Sequence, residues 1–329
     1  RDVTVNDTIF TEPVEYRNKA VFHYGKGKFG YFSEKTNEVT DILPCPLLPS
    51  RFNGIGAFVN TLLPTVGGIG FRSLYLRTTV DGDISVVFDL EGKGDKDRLM
   101  KSSVIPQLVG EFPEITGILA SVGESVSILY GERELTDELS GLRFIVSPEG
   151  FWQVNHTAAE KMADVVLRYA AEAEFDTCID LYCGSGTFGL ILAHRFPDKE
   201  YYGVELNPKS IEDAKRNGAA NGVENITFFC GDAADFGKSI DTAALGRTLA
   251  VIDPPRAGCS PEMLRNLAEL GAERVIYISC SPNTLARDCA KLAEMGYTVD
   301  EVTPVNMFPR TKHCESVALL SRKSTTHQL

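Results

Sequence analysis

The stretch Cys178-Ile179-Asp180-Leu181-Tyr182-Cys183-Gly184-Ser185-Gly186-Thr187-Phe188-Gly189 decides the fold. A strand-forming run enters a glycine turn and leaves it as a helix. The glycines let the backbone pass close under a nucleoside-bearing ligand. Glu205 ends the next strand-forming run, where an acid grips ribose hydroxyls. Gly184, Gly186 and Gly189 formally satisfy GxGxxG, the dinucleotide fingerprint, which alone is a weak signal. Asp180 adds the pattern D-x-x-x-G-x-G. A carboxylate there suits the cationic methionine end of S-adenosylmethionine and is unhelpful beside a pyrophosphate. S-adenosylmethionine is therefore the expected cofactor, with NAD or a purely structural turn as alternatives.

Working outward, strands are expected at Thr177–Tyr182, Glu200–Glu205, Ile226–Phe229, Leu249–Asp253 and Arg274–Ser279, separated by helical stretches. That alternation implies a parallel sheet. Thr157-Ala158-Ala159-Glu160 fits a capping box, and Met162, Val165, Val166 and Tyr169 follow at helical spacing. Tyr297–Asn306 and Ser316–Ser321 close the pattern as a hairpin. Residues 1–145 read differently, as short strands with Gly-rich turns: Lys19–Tyr24, Gly30–Ser33, Phe71–Thr79, Ile84–Asp89, Ile115–Ser121 and Ser125–Tyr130. Helices over Phe52–Leu63 and Asp95–Val109 make this part α+β. The expected domains are 1–145 and 146–329.

Composition bounds the function. A chain of 329 residues suits two domains, and its 43% hydrophobic and 24% charged content is ordinary for a globular protein. No run of 18 apolar residues occurs, so no membrane span is expected. The start, Arg1-Asp2-Val3-Thr4, has neither an initiator Met nor a signal-peptide core, and reads as a point partway into a longer gene product or as a trimmed end. The eight cysteines form no CxxC pair, which favours a reduced, cytoplasmic setting. A net charge of −12 argues against a large, sequence-blind nucleic-acid surface. Between Tyr16 and Phe32, however, Arg17, Lys19, Lys26 and Lys28 are interleaved with six aromatic rings and no acid. This segment reads either as a single-stranded RNA contact or as a hairpin with an aromatic core face.

Chemistry gathers at later strand ends. Cys280 ends the run Val275-Ile276-Tyr277-Ile278-Ser279 and precedes Ser281-Pro282-Asn283, where a helix begins. A helix N-terminus favours the thiolate, the nucleophilic form. Asp253-Pro254-Pro255-Arg256 ends the fourth strand; amino-group methyltransferases place an aromatic residue where Arg256 stands. Uracil C5 is too weak a nucleophile to take a methyl group directly. Thiolate addition at C6 makes an enolate that activates C5, and a base must then remove the C5 proton. Glu315, at the start of the final strand, is the candidate base. Taken singly, Cys280 reads as a buried structural cysteine and Glu315 as a surface acid. Their joint placement supports chemistry. His156 and His313 lack a suitably spaced second ligand and read as non-metal residues.

These residues carry a resemblance. FWQVN (151–155), DLYCGSGTFGL (180–190), GVELNP (203–208), DPPRAG (253–258), SCSPNTLARD (279–288) and MFPRTKHCESVALLSR (307–322) resemble the RNA (uracil-5-)-methyltransferases of 23S ribosomal RNA and tRNA. The resemblance implies a class I, Rossmann-like methyltransferase domain preceded by a smaller α+β RNA-binding domain. It implies Cys280 as nucleophile and Glu315 as proton acceptor. Cofactor contacts fall on Gln153, Tyr182, Gly184, Gly186, Thr187, Glu205 and Asp253. The expected substrate is RNA, ribosomal in the first instance and tRNA as the alternative, with the chain acting as a monomer. An RNA cytosine-5 methyltransferase would carry Cys, where Arg256 stands here. Ser281 replaces the Asn of the usual SCNP, and Thr187 a frequent Asn. A TRAM barrel and three of four 4Fe–4S cysteines would precede Arg1. Cys45 matches the fourth, so neither a cluster nor another metal is expected in this chain.

Overall fold

The computed structural model describes residues 3–41, 44–148, 150–238 and 240–323. The chain forms two compact units: Glu12–Glu138 with Ile145–His156, and Arg1–Thr11 with Leu139–Phe144 and Thr157–Leu329. The expected boundary near 145 coincides with one seam of this division, and the segment up to Thr11 groups with the later residues. Strand β1 (Thr4–Val5) is the reason at the N-terminal end, because it pairs in parallel with a late strand, Thr4 opposite Glu301 and Val5 opposite Val302.

In the N-terminal unit, β2 (Lys19–Gly25), β3 (Lys28–Phe32) and β4 (Val39–Thr40) precede α1 (Ser50–Leu62). Strands β5 (Phe71–Thr78) and β6 (Ile84–Leu90) follow, then α2 (Lys93–Lys101), α3 (Val104–Glu111), β7 (Ile115–Val122) and β8 (Ser125–Gly131). The seven strands form one sheet in the order β4-β3-β2-β5-β6-β7-β8. Only β6 and β7 run parallel, which is why α2 and α3 lie between them in the chain. Period-two alternation sends Ala20, Phe22, Leu74, Leu76, Val86 and Phe88 into one core with Phe52, Ile55, Leu99 and Leu108. The single helix expected over Asp95–Val109 is broken at Ser102, whose backbone is extended. Its hydroxyl donates to the Leu99 carbonyl and accepts the Val104 N–H, offering the backbone an alternative to the helix.

A separate two-stranded sheet joins β9 (Leu135–Leu139) to β10 (Leu142–Val146). Helix α4 (His156–Ala171) starts one residue before Thr157. Thr157 is therefore inside the first turn rather than capping it, and Glu160 accepts the Ser140 N–H at 2.9 Å.

The second unit alternates β11 (Thr177–Leu181), α5 (Thr187–Arg195), β12 (Glu200–Glu205), α6 (Pro208–Ala220), β13 (Ile226–Cys230), β14 (Thr248–Ile252), α7 (Pro261–Glu269), β15 (Arg274–Ser279) and α8 (Pro282–Glu294), then ends in β16 (Tyr297–Val305) and β17 (Glu315–Arg322). Its eight-stranded sheet has the order β1-β16-β17-β15-β14-β11-β12-β13. Strands β11 to β15 are parallel neighbours, whereas β17 inserts antiparallel between β15 and β16. Because helices cover parallel strands on both faces, β11 and β14 are buried at every position. Each large apolar side chain buried there contributes about 1.5–3 kcal/mol. Among the described residues no helix is long and apolar enough to cross a membrane.

Candidate active site

The chain runs from β11 outward to β12 and β13, then returns to β14 and β15 on the other side of β11. Such a reversal opens a crevice beyond the carboxyl ends of β11 and β14. Loop 182–186 leaves β11 there. Tyr182, Gly184 and Gly186 have φ of 65°, 55° and 83°, in the left-handed region. Glycine adopts it freely, whereas a tyrosine there stores about 1–3 kcal/mol of strain. Gly186 caps α5, and Thr187 is the helix's first residue.

Asp180 stands beneath this loop, 1% exposed. Its Oδ2 accepts the Gly189 N–H at 2.8 Å, while its Oδ1 is buried without a hydrogen-bond partner. Burial lifts its pKa to about 7; the Gly189 bond opposes that rise and Glu205 adds to it. At the end of β12, Glu205 accepts the Gly184 N–H at 3.2 Å and the Asn207 N–H at 2.8 Å. Asp253 follows β14, its N–H donating to the Leu181 carbonyl at 3.3 Å. Burial first, then the carboxylates of Glu315 and Asp180, raise its pKa well above the ordinary range. An orphaned buried carboxylate oxygen, a left-handed glycine loop and an acid at the second strand end fit a cationic, nucleoside-bearing cofactor.

Ser279 and Ser316 are the last ladder pair of the antiparallel β15–β17. One step further, the same register brings Cys280 and Glu315 to adjoining positions. Glu315 is 7% exposed, and burial raises its pKa to about 7 against the pull of Arg256. The Cys280 thiol is also pushed up, by burial and then by Glu315 and Asp253, with Arg256 opposing. These influences run against the thiolate expected from the helix N-terminus, which does begin here: Ser281 caps α8. Arg256, Cys280, Ser281, Asn283, Lys312 and His313 line a cleft of about 350 Å³, within the range of small-molecule sites.

Asp288 escapes the sequence reading. It is fully buried, and its Oδ2 accepts the Tyr277 hydroxyl and the Cys259 N–H, both at 2.8 Å. Arg287 donates to Asp288 Oδ1 and to the Ala257 carbonyl, each at 2.8 Å. The Arg256 loop, β15 and α8 are thus tied beside Cys280. A signal exists in the sequence: Asp288 falls on the apolar stripe of Leu285 and Leu292. Arg256, which the sequence marks only as a departure from amino-group enzymes, lines the cleft.

Gln153 belongs to the N-terminal unit, where its carbonyl accepts the Asn18 side-chain N–H at 2.8 Å. In the basic, aromatic segment, Phe22 and Phe29 are fully buried and Tyr24 and Tyr31 pack against the same core. Lys26 pairs with Glu38 and Lys28 with Asp41. These side chains follow the hairpin reading. Among the described residues no group of three or more His, Cys, Asp or Glu side chains is arranged to hold a metal ion.

A family model described as tRNA (Uracil-5-)-methyltransferase matches residues 135–323. An uncharacterized RNA methyltransferase of Staphylococcus aureus is 32% identical, over 97% of this chain and 75% of its own. One from Halalkalibacterium halodurans is 33% identical, over 98% and 74%. The crystal structure of Pyrococcus abyssi tRNA (uracil-54, C5)-methyltransferase with S-adenosyl-L-homocysteine is similar in fold, with a TM-score of 0.80 at 24% identity. The match covers 97% of this chain and 79% of that one.

Proposed function

Because the chain belongs to the tRNA (uracil-5-)-methyltransferase family, we propose that it methylates C5 of a uridine in RNA through a covalent adduct on Cys280. The observation that carries this reading is the β15–β17 register, which brings Cys280, a cleft-lining residue, and Glu315 to adjoining positions. S-adenosylmethionine, when bound, supplies an electrophilic sulfonium methyl. Asp180, Glu205, Asp253 and loop 182–187 would hold it. Cys280, as thiolate, adds to C6 and raises electron density at C5. Once C5 carries the methyl group, Glu315 takes the C5 proton, the C5–C6 double bond re-forms and the thiolate leaves. Arg256 opposes the upward shift of both groups and so favours their charged forms.

Ribosomal RNA is the proposed substrate class and transfer RNA the alternative. RNA containing 5-fluorouracil, which has no C5 proton to lose, should trap the enzyme as a covalent complex visible by mass. No complex, together with no methylation of cellular RNA, would overturn the reading. Mapping 5-methyluridine in ribosomal and transfer RNA from cells lacking the gene separates the two substrates.

A further inference from the structure

The β2–β5 pair of the N-terminal sheet carries an arrangement that packing does not explain. In the β2–β5 ladder, Lys19 stands directly opposite Arg77, and Val21 opposite Tyr75. Arg17 lies two residues before Lys19, bridged to Asn155, and its charge acts on Lys19. Like charges directly opposite in a ladder destabilise it. No carboxylate lies within ion-pair distance of these three cations among the described residues. Arg77 is only 3% exposed, yet its Nε and Nη1 are buried without a hydrogen-bond partner, as is Nε of Arg17. Its remaining nitrogen donates to the Gly150 carbonyl at 3.3 Å. Asp137, the acid that acts on Arg77, already accepts from Trp152 Nε1 at 2.7 Å and from the Val80 N–H at 2.8 Å. Tyr75 lies among them, its ring centroid 5.1 Å from Lys19 Nζ and 5.5 Å from Arg77 Cζ, and its buried hydroxyl faces the Arg77 guanidinium.

We propose that Arg17, Lys19 and Arg77 form a binding site for a backbone phosphate of the substrate RNA. The inference rests on the RNA reading above. It answers what the unpaired donors are for, since buried polar groups are almost always satisfied. Two guanidinium groups and an ammonium carry the donors that a phosphate accepts. Burial, then Arg77 and Arg17, lower the Lys19 pKa, as expected where cations crowd without a counter-charge. Lys26 and Lys28 are already engaged by acids, so the site narrows the basic segment to its first two cations.

The test compares the full chain with the Arg17→Gln/Lys19→Gln double variant, binding polyuridylate and transfer RNA across a salt series. Wild type should bind both, and the variant should bind each more weakly, with a salt slope flatter by about 1 for each cation withdrawn from a phosphate. Its Tm should hold or rise, because like charges have been removed from one ladder. Arg77→Lys, which keeps the charge, should lose less affinity than Arg77→Gln. An unchanged salt slope with a lowered Tm would show the cations to be structural and overturn the site, while leaving methylation intact. Failure of wild type to bind or methylate any RNA would overturn the functional reading and this site together. Thermal protection by inorganic phosphate with an unchanged RNA slope would assign the site to a free anion, and equally overturn it.

Discussion

Asp288 of α8 accepts the Tyr277 hydroxyl of β15 at 2.8 Å, and both side chains are fully buried. The same carboxylate holds the Cys259 N–H and Arg287. Removing it strands two buried donors, the Tyr277 hydroxyl and the Cys259 N–H, while Arg287 keeps the Ala257 carbonyl. Asp288→Ala should therefore cost about 2–6 kcal/mol, at about 1–3 for each stranded donor, and Asp288→Asn less, since the amide oxygen still accepts. Denaturant melts check this; a loss under about 1 kcal/mol for the alanine variant, no more than an ordinary hydrogen bond, would mean the network is not what fixes the loop beside Cys280.

On the proposed mechanism, Cys280 and Glu315 divide the reaction between them. Cys280→Ala should abolish both methylation and capture of 5-fluorouracil RNA. Glu315→Gln should methylate once and remain attached to the RNA, because proton removal precedes release of the thiolate. Gel-shift under denaturing conditions reads the attached species. Normal turnover by the glutamine variant would assign the proton to another residue.

Glu315 also sets a pH dependence. Its folded pKa of about 7 lies above its ordinary value of 4.5. The folded state then holds the proton more tightly, so this group's contribution is most favourable below about pH 4.5. Stability on the order of 3 kcal/mol is lost as pH rises from there through 7. Relative to wild type, Glu315→Gln should be more stable above pH 7 and converge with it in acid. As a base, Glu315 must be ionised, so adduct release in wild type should rise with pH and level off above about 7. Thermal melts and single-turnover rates over pH 4–9 read the two trends separately.

Asp180 should matter for the cofactor through its free oxygen. Asp180→Asn removes the charge and should weaken S-adenosylhomocysteine binding roughly tenfold, about 1.4 kcal/mol. NADH should not bind to either form. Calorimetry reads both, and tight NADH binding by wild type without binding of the homocysteine would reverse the cofactor assignment.

Much of the catalytic unit is legible in the sequence because its signals are local. Runs such as Val275–Ser279 are too apolar and too short for anything but buried strands, and Gly184 and Gly186 mark the turn where the backbone must go left-handed. The remainder depends on pairing at a distance. Two residues, Thr4 and Val5, cannot announce a strand, since only their partners Glu301 and Val302 make them one. The β9–β10 hairpin falls outside the expected strands, although Leu135, Asp137 and Leu139 alternate inward and Ser140-Gly141 forms a left-handed turn. Glu160 satisfies a capping pattern, yet its carboxylate serves Ser140, a partner no local window contains. At the candidate site, Cys280 and Glu315 can be named from strand ends, whereas Asp288 looks like one more helical charge.

Strand β17 fills the gap between β15 and β16, and its first residue is Glu315. During synthesis, everything up to α8 can assemble while β15 still presents an open edge. A chain interrupted before residue 315 would thus expose the hydrogen-bonding rim of Arg274–Ser279 to other strands and, on the proposed roles, would own a nucleophile without the group that lets it go. On those roles, closing the sheet and gaining the means of release are one event, because both depend on the strand that begins at Glu315.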